Sequence, residues 1–167
     1  ETSGYINIGE KGYDFNGGSG YFEGDCGRSF PQSYVWTQGS SGDSVVMMAA
    51  ASVPILGSSF TGVICAIKQN DRLHRLATYN GARLVYADKK GICIRRGESE
   101  LSAFCLSARP HELKAPVEGI LERTIYESLA CPVRYVLKAH GCVLMDIIDE
   151  KACYECAIKN DLQMKVI

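Results

Sequence analysis

The chain has 167 residues, 18 Lys and Arg against 19 Asp and Glu, a net charge of −1, and 46% hydrophobic residues. A chain of about 150 residues buries roughly 70% of its unfolded surface, so one domain with a real core is expected. The even charge leaves no concentrated basic face for nucleic acid or an anionic membrane, and no apolar run reaches the ~18 residues of a membrane-spanning helix.

The chain opens on Glu1, as a processed or partial chain would. Its eight cysteines are Cys26, Cys65, Cys93, Cys105, Cys131, Cys142, Cys153 and Cys156. Most sit inside apolar strand-like runs such as "VICAI", "GICIRR" and "AFCLS", where a thiol behaves as a small hydrophobe. A secreted disulfide scaffold is normally shorter and richer in loops. A reduced, cytoplasmic protein is therefore expected.

In chain order the dominant period is two. "YINI" and "KGYDFNG" read as an opening hairpin turning at Gly9-Glu10, followed by the flexible connection "NGGSG". From Tyr34 onward the expected strands are "YVWTQ", "SVVMMAAASVP", "FTGVICAIKQN", "RLHRLATYN", "ARLVYAD", "GICIRR" and "LSAFCLS". Turn signals separate them at 39–42, 54–58, 70–71, 80–81, 88–91 and 97–98. Asn80-Gly81 is a preferred two-residue hairpin turn. The stretch "RPHELKAPVEG" (109–119) is read as non-strand, with room nearby for one short helix interrupted by Pro116 and Gly119. Four more strands follow, "RTIYESLA", "VRYVLKA", "CVLMDII" and "KACYECAIK", with turns at His140-Gly141 and Asp149-Glu150.

About ten short strands and at most one short helix give an all-β fold, a barrel or a sandwich, over residues 1–167 as a single domain. "VVMMAAA" and "FTGVICAI" are apolar on both faces. That pattern suggests a barrel interior together with an outer face covered by something else.

The chemistry-bearing motifs are sparse. Cys153 and Cys156 form a C-x-x-C pair. On an alternating strand, however, positions i and i+3 face opposite ways, and no partner motif or nearby His completes a zinc site. No metal and no cofactor is expected. His74, His111 and His140 lack ligand spacing, and His74 shares a strand face with Leu76 and Thr78. Neither Ser29 nor Ser33 lies in a G-x-S-x-G elbow, and "GGSGYFEG" leads into no helix, which removes the phosphate-cradle logic. Glu23 and Asp25 form a carboxylate pair beside Arg28, either a general acid at a cavity mouth or a salt-bridged turn. Alternation puts Tyr34, Trp36 and Gln38 on one face and Val35 and Thr37 on the other. A buried Trp and Gln both need polar partners, so that face is expected to be wet or occupied by a ligand.

The run "GYFEGDCGRSFPQSYVWTQ" resembles the signature of the tocopherol cyclase-like family, E-K-N/D-W-G-x-S-F-P-x-x-W-x-W-x-Q. Glu23, Asp25, Gly27, Ser29, Phe30, Pro31, Trp36 and Gln38 match in register. Cys26 and Tyr34 stand where the family has Trp, and "QGSS" lacks the Asn that often follows the Gln. "FTGVICAI…RLHRLATYNGARL" is similar to the family's next hairpin, and "EGILERTIYESLACPVRYVL" more loosely to its closing segment. The resemblance covers roughly residues 11–86, with the looser part at 115–158. It implies a lipocalin-like antiparallel β-barrel and the C-terminal half of a two-barrel protein, with a missing N-terminal partner domain or a homodimer as the partner.

By the same resemblance the chain binds a small apolar ligand, prenylated, lipid-like or polyketide-like, as carrier or sensor. The implied ligand-binding set is Tyr34, Trp36, Gln38, His74 and Tyr79, with Trp36 and Gln38 turned into the barrel. As a cyclase, Glu23 or Asp25 would protonate a prenyl double bond, and Trp36, Tyr34 and Tyr79 would stabilise the cation by their π faces. A structural half-domain that docks on its missing partner is the third expectation.

Overall fold

The computed structural model describes residues 2–24, 26, 30–55 and 58–158. They form twelve strands: β1 (Tyr5–Ile8), β2 (Lys11–Asp14), β3 (Tyr34–Ser41), β4 (Ser44–Ile55), β5 (Ser58–Gln69), β6 (Arg72–Ala77), β7 (Arg83–Ala87), β8 (Gly91–Arg96), β9 (Ser99–Cys105), β10 (His111–Val117), β11 (Ile120–Ala139) and β12 (Cys142–Ala157). The first two pair only with each other, as an exposed antiparallel hairpin. The remaining ten make one antiparallel sheet in the order β6-β5-β4-β3-β12-β11-β9-β8-β7, with β10 on the edge of β11 beyond β9. Among the described residues no helix is long and apolar enough to cross a membrane.

Alternation along each strand sends one set of side chains to a common core. That set runs through Val35, Val46, Met48, Val63, Ile67, Leu76, Leu84, Ile94, Leu101, Val133, Tyr135, Leu137 and Tyr154. A single sheet with no second layer buries one face only by rolling onto itself. The two ends of the strand order do approach. Ala82 N donates to Ala77 O (2.9 Å) across the short 3₁₀ turn Thr78–Asn80, and Arg96 of β8 reaches the carbonyl of Arg75 on β6 (3.3 Å). No ladder joins β6 to β7 among the described residues, so the roll keeps an open seam.

Several sequence expectations change here. The stretch 109–119 is not helical: His111–Val117 is a strand, closed onto β11 by Glu118-Gly119. Both turn residues have positive φ (50° and 89°), as a two-residue hairpin turn requires, and the same holds for His140-Gly141 (51° and 75°) between β11 and β12. Asn80-Gly81 does not close a hairpin. Asn80 ends the 3₁₀ turn, its side chain accepting from Ala77 N (2.9 Å) and donating to Arg75 O (3.1 Å). The four expected C-terminal strands are two long ones. β11 runs 20 residues and β12 runs 16, and register irregularities at 128–133 replace the expected breaks. Asp149 accepts from Ser40 N (2.7 Å) and Lys151 N (2.8 Å), so it braces the ladder rather than ending it.

The inward face of β3 is Val35, Thr37 and Gly39, not Trp36 and Gln38. Tyr135 fills the space above them, fully buried, its hydroxyl 2.7 Å from Thr37 Oγ1. Gly39 has no side chain because there is no room: a Cβ there would sit 2.6 Å from the Tyr135 ring. That ring is held on every side and cannot retreat cheaply. Gly39→Ala is expected to cost about 1–3 kcal/mol of unfolding free energy in urea, the usual range for overpacking a tight core. An unchanged unfolding midpoint would contradict this packing.

Candidate active or binding site

Turned away from the core, the other face of β3 builds the candidate site. Ladder register sets Glu127 of β11 opposite Glu155 of β12, Glu155 opposite Trp36 of β3, and Trp36 opposite Ala49 of β4. Directly paired residues share a face, so these four form one row across four strands on the outside of the roll. Ala49 and Ala51 are small, which leaves depth beneath the row. This accounts for the doubly apolar look of "VVMMAAA": Val46, Met48 and Ala50 enter the core, while the alanines between them floor an outer cleft.

The cleft has a volume of about 860 Å³. Its roof comes from Tyr21 and Glu23 and from the segment 30–32, which contributes Phe30 and Pro31, and its flank from Pro116 of β10. Arg123 of β11 anchors that segment by donating to Pro31 O (2.5 Å) and Gln32 O (2.8 Å), and Phe30 N donates to Pro116 O (3.4 Å). The Phe30 and Tyr34 rings lie 5.7 Å apart between centroids, tilted by 39°. Glu23 ties roof to floor. Its Oε2 accepts from the Tyr21 hydroxyl (2.5 Å) and from Trp36 Nε1 (3.1 Å).

Three carboxylates, Glu23, Glu127 and Glu155, therefore face one cleft whose described lining holds no Lys, Arg or His. Burial pushes the Glu155 carboxyl up from 4.5 to about 7, with the like charges of Glu127 and Glu23 adding to the shift and the Tyr34 hydrogen bond (3.3 Å) opposing it. Burial likewise raises Glu127. The Tyr34 and Tyr21 phenols are raised as well, by burial first and by their neighbouring glutamates next, so both remain donors. Near neutral pH, Glu155 exchanges a proton beside the Tyr34 and Trp36 rings. That is the chemical capacity of the site.

Of the residues singled out from the sequence, the structure brings Glu23, Tyr34 and Trp36 together. Asp25 lies outside the described residues. Gln38 shares the outer face of Trp36 one step along β3, half-buried and clear of the cleft. His74 is on β6, on the core-facing side with Leu76, and lines a different cleft. Tyr79 stands in the 3₁₀ turn, 73% exposed and apart from both the core and the Trp36 row. Cys153 and Cys156 lie on opposite faces of β12. Cys153 reaches Leu129 O (3.3 Å), and burial lifts Cys156 to about 11, far from a reactive thiolate. All eight cysteines are free, and among the described residues no three His, Cys, Asp or Glu side chains are grouped to hold a metal.

Glu127, Glu155, Tyr21 and Phe30 were not anticipated. A trace of Glu155 was present in "KACYECAIK", where an acid occupies a position in an otherwise apolar alternation. Its partnership with Glu127 depends on long-range register and leaves no local mark. Comparison with protein-family models, curated protein sequences and solved structures finds no match.

The raised Glu155 has a thermodynamic consequence. Its folded value of about 7 exceeds the ordinary 4.5, so the folded state binds this proton more tightly than the unfolded chain does. The resulting stabilisation is complete below 4.5 and is lost as pH rises through about 7. Unfolding free energies measured across that window should fall with pH in the wild type and fall less in Glu155→Gln. Equal slopes would contradict the environment described for Glu155.

Proposed function

We propose that the chain binds an apolar small molecule in the cleft lined by Tyr21, Glu23, Phe30 and Pro31, and that the molecule carries, or develops, positive charge opposite the carboxylates. The carrying observation is the composition of the cleft: four aromatic side chains and three carboxylates, with no cationic side chain in the described lining. Aromatic faces attract cations and apolar groups alike, and carboxylates in a desolvated cleft favour a positive partner. Its volume falls within the several hundred Å³ typical of small-molecule sites. In this reading the rolled sheet is a lipocalin-like barrel with an open seam, and the ligand, prenylated, lipid-like or polyketide-like, lies on its outside rather than in its centre. The free thiols fit a reducing, cytoplasmic setting.

A second reading is supported by the raised Glu155 carboxyl beside the Trp36 and Tyr34 rings. In tocopherol cyclase-like chemistry a carboxylic acid protonates a prenyl double bond, a phenol oxygen captures the tertiary cation, and the phenol proton returns to a carboxylate. The net change is isomerisation, with no external reactant. Glu155 supplies an acid ionising near neutral pH, Trp36 and Tyr34 supply π faces, and Glu127 is a neighbouring proton acceptor. Glu23 then acts by fixing Trp36 rather than by donating the proton, because its Oε2 is engaged by two donors. The half-domain reading draws on Leu113, Val117, Ile120, Leu121 and Tyr126, exposed along β10 and β11.

Trp36 is the sole tryptophan, so its fluorescence reports the cleft directly. Titration with a prenylated hydroquinone should shift its emission saturably, and native mass spectrometry should show the matching adduct. No shift and no adduct would overturn the binding reading. If ring closure occurs, Glu155→Gln should lower turnover by about 10²-fold or more while leaving the fluorescence titration in place, the range for losing a general acid. Binding without any product, in wild type and variant alike, would leave the carrier and exclude the cyclase.

A further inference from the structure

A second cleft, of about 700 Å³, shares no lining residue with the first. It occupies the open seam of the roll. The β7 strand begins only at Arg83, opposite Arg95, so the end of β8 faces β6 with no strand between them. At its base are Leu76 and Leu137, both core residues, and its walls include Leu73 and Leu144, which are 55% and 44% exposed. Both leucines are about half exposed at the mouth of the cleft. The seam therefore gives access to the core side of the sheet.

The ionisable groups in the described lining of this mouth are basic, Arg75, Arg96 and His74, beside the neutral Asn80 and Ser99. Arg96 continues the inward alternation of Ile92 and Ile94, and so emerges at the rim of the core face rather than on the outside. One of its nitrogens donates to Arg75 O (3.3 Å), which aims the guanidinium across the seam. His74, on the same face as Leu76, adds a ring nitrogen, and Arg75 stands on the lip. No Asp or Glu is among the described residues that line the cleft. The nearest acids along the adjoining hairpin are engaged elsewhere, Glu98 with His140 and Glu100 with Arg95. A guanidinium fork beside an apolar floor, with no internal counter-charge, matches a carboxylate on a short hydrocarbon tail.

We propose that the seam between β6 and β8 is a binding site for an amphipathic carboxylate, with Arg96 and His74 holding the head group and Leu73, Leu76, Leu137 and Leu144 taking the tail. The site is independent of the reading of the Trp36 cleft, and its ligand has the opposite charge preference.

The test is calorimetric titration of the full chain with dodecanoate, dodecanol and acetate, together with methyl NMR of the leucines and alanines. Dodecanoate should bind more tightly than either control, and the Leu76, Leu137 and Leu144 methyl signals should move. Arg96→Gln should weaken dodecanoate by about tenfold, the scale of one charge-assisted contact, and leave dodecanol unaffected. Leu144→Glu, which places an acid at an exposed position of the mouth, should weaken dodecanoate independently. Equal affinity for dodecanol, an unaltered dodecanoate affinity in both variants, or shifts confined to Ala49 and Ala51 of the other cleft would each overturn the proposal. So would tight binding of acetate alone, which would mark a simple anion site without a tail.

Discussion

The contact of Tyr135 with Thr37 and Gly39 decides on which side of the sheet everything else stands. Successive side chains on a strand face opposite ways, so once Tyr135 closes over Gly39 and bonds Thr37, the alternating Trp36 and Gln38 have only the outer face left. A slip of one residue would bury the indole and expel Val35 and Thr37. The fully buried phenol, hydrogen-bonded at 2.7 Å and pressed against a glycine, makes that slip costly. The row Glu127–Glu155–Trp36–Ala49 follows from this choice together with the ladder pairings.

On that outer face, electrostatics and packing reinforce each other. Tyr21, Phe30 and Pro31 line the same cleft as Glu155, and Arg123 holds the segment 30–32 through the carbonyls of Pro31 and Gln32 rather than through the carboxylates. The described lining of the cleft supplies carboxylates and no cationic side chain. Like charges on Glu127 and Glu23 and the loss of solvent act in the same direction on Glu155, against a single hydrogen bond from Tyr34. A group poised in this way responds to anything that changes local charge, whether a bound cation or a proton supplied to a substrate. At the seam the logic is reversed: Arg96 is presented where carboxylates are occupied elsewhere.

Much of the strand content was legible because period-two alternation is a local signal. "YINI", "YVWTQ" and "GICIRR" fall within strands, and Gly97-Glu98 and His140-Gly141 close hairpins as their residue types suggest. The failures have different causes. Alternation shows that Tyr34, Trp36 and Gln38 lie together but is symmetric between inside and outside, and a lone Trp biases the choice inward. The deciding residue, Tyr135, is about a hundred positions away. The single strands β11 and β12 were divided at Cys131-Pro132 and Asp149-Glu150, because bulges and turns use similar residues. Asn80-Gly81, a good hairpin signal, was overridden by the Asn80 side chain bonding back to Ala77 and Arg75. Glu127 and Glu155 became a pair only through register across a long hairpin, which no short motif records.

The orientation of Trp36 is the point on which the account turns, and nuclear Overhauser contacts of its indole N–H and ring protons test it most directly. The account predicts contacts from the indole to Ala49 and to Tyr21 and Glu23 of the roof. Contacts instead to Tyr135 or Met48 would place the indole in the core and contradict the outer-face site.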